Sequence, residues 1–241
     1  MENKDIFTTI VRKNPTKMSE RSSIFDMIGP IMIGPSSSHT AGVVRIGRTA
    51  RHILGEMPTE ATIIFYNSFA QTYEGHGSDR AVIAGLLDYA TDDVRIKTSF
   101  DEAEKVGFKY TFKSAGNAST MHPNTVKITV KSENREIELV GESKGGGLVN
   151  IASYNGFRAD FSTSLNTLIV LADDVKGSVA FISSILSNDD CNIATMNVSR
   201  LGKNALACQF YEMDSSVREL TLAYMRSLSW IKEIISLNAL E

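Results

Sequence analysis

The segment 34–42, which reads GPSSSHTAG, constrains the fold more than any other stretch of the chain. Pro35 fixes its own φ and pushes the glycine before it towards an extended geometry, so the backbone must turn here. An apolar pattern of helical period follows over about residues 41–54, with Ser38 or Thr40 as the predicted N-cap. The sequence therefore predicts a turn that opens directly into a helix.

The same segment carries the residue types of an active-site loop. The positive end of a helix dipole, with hydroxyl and amide donors beside it, favours a carboxylate. His39 is the side chain in the segment that exchanges protons near neutral pH. A carboxylate cradle with a base on its rim suits proton abstraction next to that carboxylate. A Ser-rich turn with a histidine can also only cap or pack a helix, and the residue pattern alone leaves both roles open.

Four segments, in order, carry a family resemblance. They are GPSSSHTAG with its lead-in SIFDMIGP (23–30), GHGSDRA (75–81), HPNT (122–125) and the triglycine at 145–147. Together they resemble the beta subunit, or the equivalent beta domain, of the iron–sulfur-dependent L-serine dehydratases (L-serine ammonia-lyases). The family has Thr where this chain has Ser78. The match covers most of residues 23–160.

The resemblance implies the conversion of L-serine to pyruvate and ammonia, in which a base removes the Cα proton while the β-hydroxyl leaves. His39 is the predicted base. His76 lies between two glycines, where the backbone can approach a ligand, and His122 precedes a proline that holds it extended. For these two, a catalytic part and a structural hydrogen bond both remain open. His52 lies on the predicted helix outside every matched motif, and we interpret it as structural.

The predicted substrate-binding residues are polar side chains of the matched segments and of the strand end at residue 67. The predicted carboxylate donors are Ser36, Ser37, Ser38 and Thr40, and the weaker candidates for the amine or carboxylate are Asn67, Ser68 and Asn124.

The cysteine count bears on the cofactor. A 4Fe–4S cluster with an iron open to substrate usually takes at least three cysteine thiolates. This chain has two, Cys191 and Cys208, both in apolar stretches typical of buried thiols. We predict no metal ligand on this chain. The resemblance implies that the cluster lies on a separate, cysteine-bearing alpha subunit.

Charge and hydropathy argue against several other function classes. The net charge of −3 is spread along 241 residues, so neither a nucleic-acid surface nor a polybasic membrane surface is predicted. The apolar runs fall far short of a membrane span, and residues 1–21 lack the apolar core of a secretory signal. We therefore expect a cytoplasmic protein.

The predicted fold class is α+β, in three parts. Residues 1–22 form a polar arm. Residues 23–161 form a domain of helices and a largely antiparallel sheet, with a hairpin at Asn155-Gly156, and this domain also resembles the effector domain of some phosphoglycerate dehydrogenases. The polar stretch 162–166 is the predicted hinge.

Residues 167–241 follow the order βαββαβ, which is ferredoxin-like. The predicted strands are 167–172, 191–199, 204–211 and 230–236, and the predicted helices are 175–186 and 217–227. In detail the unit resembles an ACT domain, and its expected self-association would cover a sheet edge. Asp174, Lys176 and Gly177 occupy the loop where such domains bind an effector. Gly177 alternatively only starts a helix, in a domain that joins subunits.

Other function classes remain as alternatives. Lys144 before the triglycine would suit a pyridoxal phosphate enzyme, but these glycines lie between two strands, as in a hairpin. No nucleophile elbow supports a Ser-His hydrolase. The main alternative is a non-catalytic, amino-acid-sensing regulatory protein.

Overall fold

The computed structural model describes residues 30–117, 120–203 and 205–240. The predicted polar arm (1–22) and most of the lead-in at 23–30 lie outside these residues. None of the helices in the described ranges is long and apolar enough to cross a membrane.

The first part of the chain builds a six-stranded sheet with helices against it. Its helices are α1 (Gly42–Leu54), α2 (Asn67–Thr72), α3 (Ser78–Leu86) and α4 (Ser99–Lys105), with a π-helical turn at Ser37–Ala41 and a 3₁₀ helix at Val94–Thr98. Its strands are β1 (Glu60–Phe65), β2 (Lys109–Ser114), β3 (Thr125–Lys131), β4 (Glu136–Gly145), β5 (Leu148–Tyr154) and β6 (Phe157–Ser162). The strand order is β2-β1-β3-β4-β5-β6, and all neighbours are antiparallel except β1 and β2.

The sheet core follows from alternation along the strands. In β3 the side chains of Val126, Ile128 and Val130 are fully buried, and those between them are partly exposed. A period of two places alternate side chains on one face, so this face packs under α1, which contacts β3, β4 and β5. The alternation of apolar residues at 126, 128 and 130 in the sequence predicts such a half-buried strand, and the structure confirms it.

Two glycines bring helices α1 and α3 into backbone contact. A Cβ at Gly47 would lie 2.7 Å from the carbonyl oxygen of Val82, and a Cβ at Gly85 would overlap the carbonyl oxygen of Val44. The helices can approach this closely only because neither position carries a side chain. The N-terminal end of α3 also lies close to the turn before α1, since Ser78 Oγ donates to the carbonyl oxygen of His39 at 2.8 Å.

The second part builds a four-stranded antiparallel sheet with two helices. Its elements are β7 (Asn166–Asp173), α5 (Ser178–Asn188), β8 (Ile193–Arg200), β9 (Leu206–Met213), α6 (Glu219–Arg226) and β10 (Ile231–Leu237). The strand order β10-β7-β9-β8 is that of the ferredoxin-like βαββαβ arrangement. The predicted α+β class with two sheets is confirmed. Helix α5 begins three residues later than predicted, since Gly177 has φ +86° and cannot continue a helix from residue 175.

One hydrophobic cluster spans both sheets, and a second lies between the second sheet and its helices. Phe210 and Ile169 of the second sheet pack in the same buried cluster as α1 and the first sheet. Phe161 stacks on Phe210, with ring centroids 5.7 Å apart. The predicted hinge is held in place, because the amide and hydroxyl groups of Ser162 both donate to buried Glu212. The division into two domains at this point stays a prediction.

Candidate active site

The GPSSSHTAG segment forms a π-helical turn that runs straight into α1. The amide of His39 donates to Ser36 Oγ at 3.2 Å, so Ser36 is the N-cap. The predicted caps, Ser38 and Thr40, were wrong because the helical turn begins at Ser37, ahead of both. The turn packs against α3 and β4, which places His39 beside His76 of the matched segment 75–81.

The His39 imidazole is enclosed by hydroxyl groups and an aromatic ring. Its Nδ1 lies 3.0 Å from Ser38 Oγ and 3.3 Å from Ser36 Oγ, and Phe69 presents its ring at 4.9 Å between centroids. Its Nε2 is buried and has no hydrogen-bond partner among the described residues. In the tautomer whose Nδ1 proton points to a serine oxygen, the lone pair of Nε2 is available to accept a proton.

Burial lowers the pKa of His39 below its ordinary value of 6.5, and the nearby His76 lowers this pKa further. Both effects penalise the charged imidazolium, since burial removes water from it and a positive charge on His76 would repel it. His39 is therefore neutral at physiological pH. A neutral imidazole with an open Nε2 is the protonation state that a general base requires.

His76 stands beside His39, on the loop that leads into α3. The two ring centroids are 4.7 Å apart with an interplanar angle of 36°. His76 Nδ1 donates to the carbonyl oxygen of Thr72 at 3.2 Å, because a carbonyl oxygen can only accept. The proton of the neutral ring is thus on Nδ1. The ring is exposed, so it can meet a ligand or a second chain.

His122 belongs to a separate loop just before β3. Its Nδ1 accepts from the amide of Asn124 at 3.2 Å, so the neutral ring carries its proton on Nε2 and acts there as a donor. Asn67 donates its side-chain amide to the carbonyl oxygens of Met121 and His122, and Ser68 donates its amide to Pro123. Asn67 and Ser68 therefore position the 121–124 loop at the start of α2.

Asn124 links the 121–124 loop to β4, and β4 in turn packs against the π-helical turn. Its carbonyl oxygen accepts from the Ser143 amide at 3.0 Å, and its side-chain amide lies 3.5 Å from the Ser143 carbonyl oxygen. The Ser143 hydroxyl is buried, has no hydrogen-bond partner within the described ranges, and lies against the Cα of Gly42, where a Cβ would overlap it. Sequence reasoning missed Ser143, because a lone serine in a strand carries no motif.

Thr40 has a different place from the one predicted. It is buried, and its hydroxyl donates to the carbonyl oxygen of His76 at 3.3 Å. This hydrogen bond takes the Thr40 donor away from any substrate carboxylate. The carboxylate-donor hypothesis passes to the three serines 36–38, which are partly exposed.

The triglycine forms the β4–β5 hairpin, as the sequence indicated, with φ values of +94°, +61° and +80°. Arg45 of α1 donates to the Gly147 carbonyl oxygen at 2.8 Å, and a Cβ at Gly147 would lie 2.7 Å from Pro30. The hairpin is therefore pinned to the segment that precedes the π-helical turn. Lys144 pairs with Glu142 at 2.7 Å.

The predicted effector residues lie in the loop between β7, which ends at Asp173, and α5, which begins at Ser178. Asp174 forms an ion pair with Arg200 at 3.0 Å, and Lys176 and Gly177 are exposed immediately before α5.

The two cysteines do not suit an iron–sulfur cluster. Both are buried; Cys208 lies in β9, whereas Cys191 precedes β8 and its thiol contacts the carbonyl oxygens of Asp189 and Ser216. Burial raises the pKa of the Cys208 thiol to about 12, which disfavours the thiolate that binds iron. Across the described residues, no group of three or more His, Cys, Asp or Glu side chains is placed to hold a metal ion.

Comparison with known proteins identifies the family to which the sequence is similar. The family model described as serine dehydratase beta chain matches residues 23–136. The "Probable L-serine dehydratase, beta chain" of Bacillus subtilis (strain 168) is 42% identical over 88% of this chain and 96% of its own length. The "L-serine dehydratase, beta chain" of Peptoniphilus asaccharolyticus is 36% identical over 82% of this chain and 89% of its own length.

A more distant relative covers both sheets as well. The "D-3-phosphoglycerate dehydrogenase" of Bacillus subtilis (strain 168) is 22% identical over 82% of this chain and 37% of its own length. The resemblance inferred from the four motifs is confirmed by the two beta chains, each of which matches this chain over most of its own length. This chain belongs to the serine dehydratase beta chain family.

Proposed function

We propose that this chain is the beta subunit of a two-chain L-serine ammonia-lyase, in which it supplies the base and the carboxylate-binding hydroxyls. The observation that carries the proposal is His39, a neutral imidazole with a buried, unpartnered Nε2 beside a row of serines. The close relatives are named as beta chains of L-serine dehydratase, which supports serine as the substrate and an alpha chain as the partner.

The residues of this chain account for the proton and the carboxylate. Ser36, Ser37 and Ser38, at the positive end of the continuous helix that α1 forms with the π-helical turn, would hold the substrate carboxylate. His39 Nε2 would accept the Cα proton; the electron pair then forms the Cα–Cβ double bond and hydroxide leaves Cβ. The product, 2-aminoacrylate, tautomerises to the imine, which water hydrolyses to pyruvate and ammonia.

The 4Fe–4S cluster belongs, in this proposal, to the partner. The thiols here are too few and too buried, so a cysteine-bearing alpha subunit would bring the cluster and with it a Lewis acid for the leaving hydroxyl group. We also propose the cytoplasm as the place of action, because thiols and clusters of this kind need a reducing compartment.

The test of the two-chain proposal is reconstitution. We expect the purified chain to bind no stable cluster after anaerobic incubation with iron and sulfide, and to form no pyruvate from L-serine. Mixing it with the cysteine-bearing partner should restore both the charge-transfer absorption and turnover. Turnover by the chain alone would contradict the proposal, whereas a partner-bound complex without any turnover would favour the amino-acid sensor.

We propose further that residues 23–161 form the serine dehydratase beta domain and that 167–241 form an ACT domain that pairs with a second copy. The edge strand β8 supports pairing, because it is the last strand of its sheet and Met196 and Val198 on it expose 47% and 44% of their surface. Asp174, Lys176 and Gly177 are the proposed effector contacts.

Sedimentation of the chain, with and without added L-amino acids, tests the pairing. We expect a dimer whose association constant changes when the effector is present, and the variant Met196→Glu should sediment as a monomer. A monomer at every concentration would contradict self-association.

A further inference from the structure

Two hydroxyl groups cross between the loops that carry His39 and His76. Thr40 Oγ1 donates to the carbonyl oxygen of His76 at 3.3 Å, and Ser78 Oγ donates to the carbonyl oxygen of His39 at 2.8 Å. The two bonds are reciprocal. Thr40, next to His39, bonds the backbone at His76, and Ser78, two residues after His76, bonds the backbone at His39. Thr40 is 2% exposed and Ser78 is 0% exposed, so water does not compete for either bond.

The Ser78 hydroxyl does not cap its own helix. A serine at the start of a helix commonly caps it. In the structure, Gly77 is the N-cap of α3, with φ +70°, and the Ser78 hydroxyl is directed to the neighbouring loop instead. Helix α3 thus begins without a side-chain cap, while its first residue braces the histidine loop.

We propose that Thr40 and Ser78 are positioning residues, whose reciprocal hydrogen bonds hold the His39 and His76 imidazoles in contact. The rings are 4.7 Å apart, and His76 is flanked by glycines that would otherwise let its loop move. The inference rests on the proposed role of His39 as base. It adds that the geometry of this base depends on two buried hydroxyls that need not touch the substrate.

The two bonds also set the electrostatics of the base. His76 is the titratable side chain whose charge acts on His39, and this effect adds to the burial of the ring. If the loops separate, water reaches His39 and His76 moves away. Both changes return the His39 pKa towards its ordinary value of 6.5. A displacement of about 1 Å in a catalytic group can cost on the order of 100-fold in rate.

The experiment compares Thr40→Val with Thr40→Ser in the enzyme reconstituted with its partner, alongside Ser78→Ala and His39→Ala. Thr40→Val keeps the volume and loses the hydroxyl, whereas Thr40→Ser keeps the hydroxyl and loses the methyl group that packs on Gly34. We expect Thr40→Val and Ser78→Ala to lower kcat about 10- to 100-fold with less change in KM, and Thr40→Ser to keep more activity than Thr40→Val. The acid limb of kcat/KM should move to higher pH in Thr40→Val and Ser78→Ala.

Three outcomes overturn the inference. If Thr40→Ser is more impaired than Thr40→Val, Thr40 acts by packing alone. If Thr40→Val and Ser78→Ala keep normal kcat and pH profile while His39→Ala is inactive, His39 is the base but needs no brace. If His39→Ala also keeps activity, the proposed base role fails and this inference fails with it. Thermal unfolding of each variant separates a folding defect from lost positioning. If Ser78→Ala does not fold, the comparison of Thr40→Val with Thr40→Ser tests the inference by itself.

Discussion

His39→Ala is expected to lower kcat of the reconstituted enzyme by about 10²–10⁴-fold, the range typical for loss of a positioned general base. The reason is geometric. The Nε2 atom of His39 has no hydrogen-bond partner among the described residues, while its Nδ1 atom is hydrogen-bonded to the hydroxyl groups of Ser36 and Ser38. Cluster content and assembly with the partner should survive, since His39 is not proposed to bind iron. Steady-state kinetics of pyruvate formation measures the loss.

His52→Ala is the matched control for this experiment. His52 lies near the far end of the same helix, α1, where its Nε2 is bonded to Asp88 at 2.8 Å. Removing it deletes a histidine without touching the hydroxyl cradle, so turnover should stay near normal. Ser37→Ala should instead raise KM more than it lowers kcat, because a carboxylate donor acts in the ground state as well. Near-normal deamination by His39→Ala would remove His39 from the mechanism and leave His76 or His122 as the candidate base.

The pH profile gives the His39 hypothesis a second test. A base acts in its neutral form, so activity falls as the pH drops through the pKa of the folded enzyme. Because burial and His76 lower the His39 pKa, we expect the acid limb of kcat/KM to lie below 6.5, with activity kept at pH values where an ordinary histidine would already be charged. An acid limb above 6.5 would contradict a buried, neutral base.

Sequence patterns predicted the strands and the long helix well, because each has a strong period. The alternation in β3 and the hairpin at Asn155-Gly156 are confirmed, and so is the βαββαβ order of the second sheet. The short helices α2 and α4 were missed. Asn67 begins α2 with φ +52°, a conformation that asparagine tolerates, and the helix has no apolar periodicity from which it could be predicted.

The sequence predicted which residues form the candidate site but not the hydrogen bonds that connect them. The motif placed His39, His76 and the serines at loops, and the structure brings the first two into ring contact. The sequence could not show that the Thr40 hydroxyl serves His76, nor that Ser78 bonds the other loop instead of capping its own helix. These bonds depend on how closely α1 and α3 approach, which Gly47 and Gly85 determine through tertiary packing.

Phe210→Ala is expected to lower the free energy of unfolding by about 3–5 kcal/mol, the cost of emptying a buried aromatic site. Phe210 lies in the second sheet but stacks on Phe161 of the first, within the cluster that also holds the α1 side chains. A domain of this size is typically stable by only about 5–15 kcal/mol, so the variant would lose a large part of its stability. Urea titration followed by circular dichroism and by tryptophan fluorescence measures the change.

The same titration decides whether the two sheets fold as one unit. Trp230 lies in the second part, so its fluorescence follows that sheet, whereas circular dichroism follows both. Tyr224→Ala, an aromatic truncation on the exposed side of α6, is the control and should change stability by about 0.5 kcal/mol or less. Because the core crosses the boundary at residues 162–166, we expect the two signals to coincide in the wild-type chain and to shift together in Phe210→Ala. The contrary result is a shift of the fluorescence transition in Phe210→Ala while part of the circular dichroism transition stays at its wild-type urea concentration. The sheets would then unfold independently, and the contact between Phe161 and Phe210 would join two domains without coupling their unfolding.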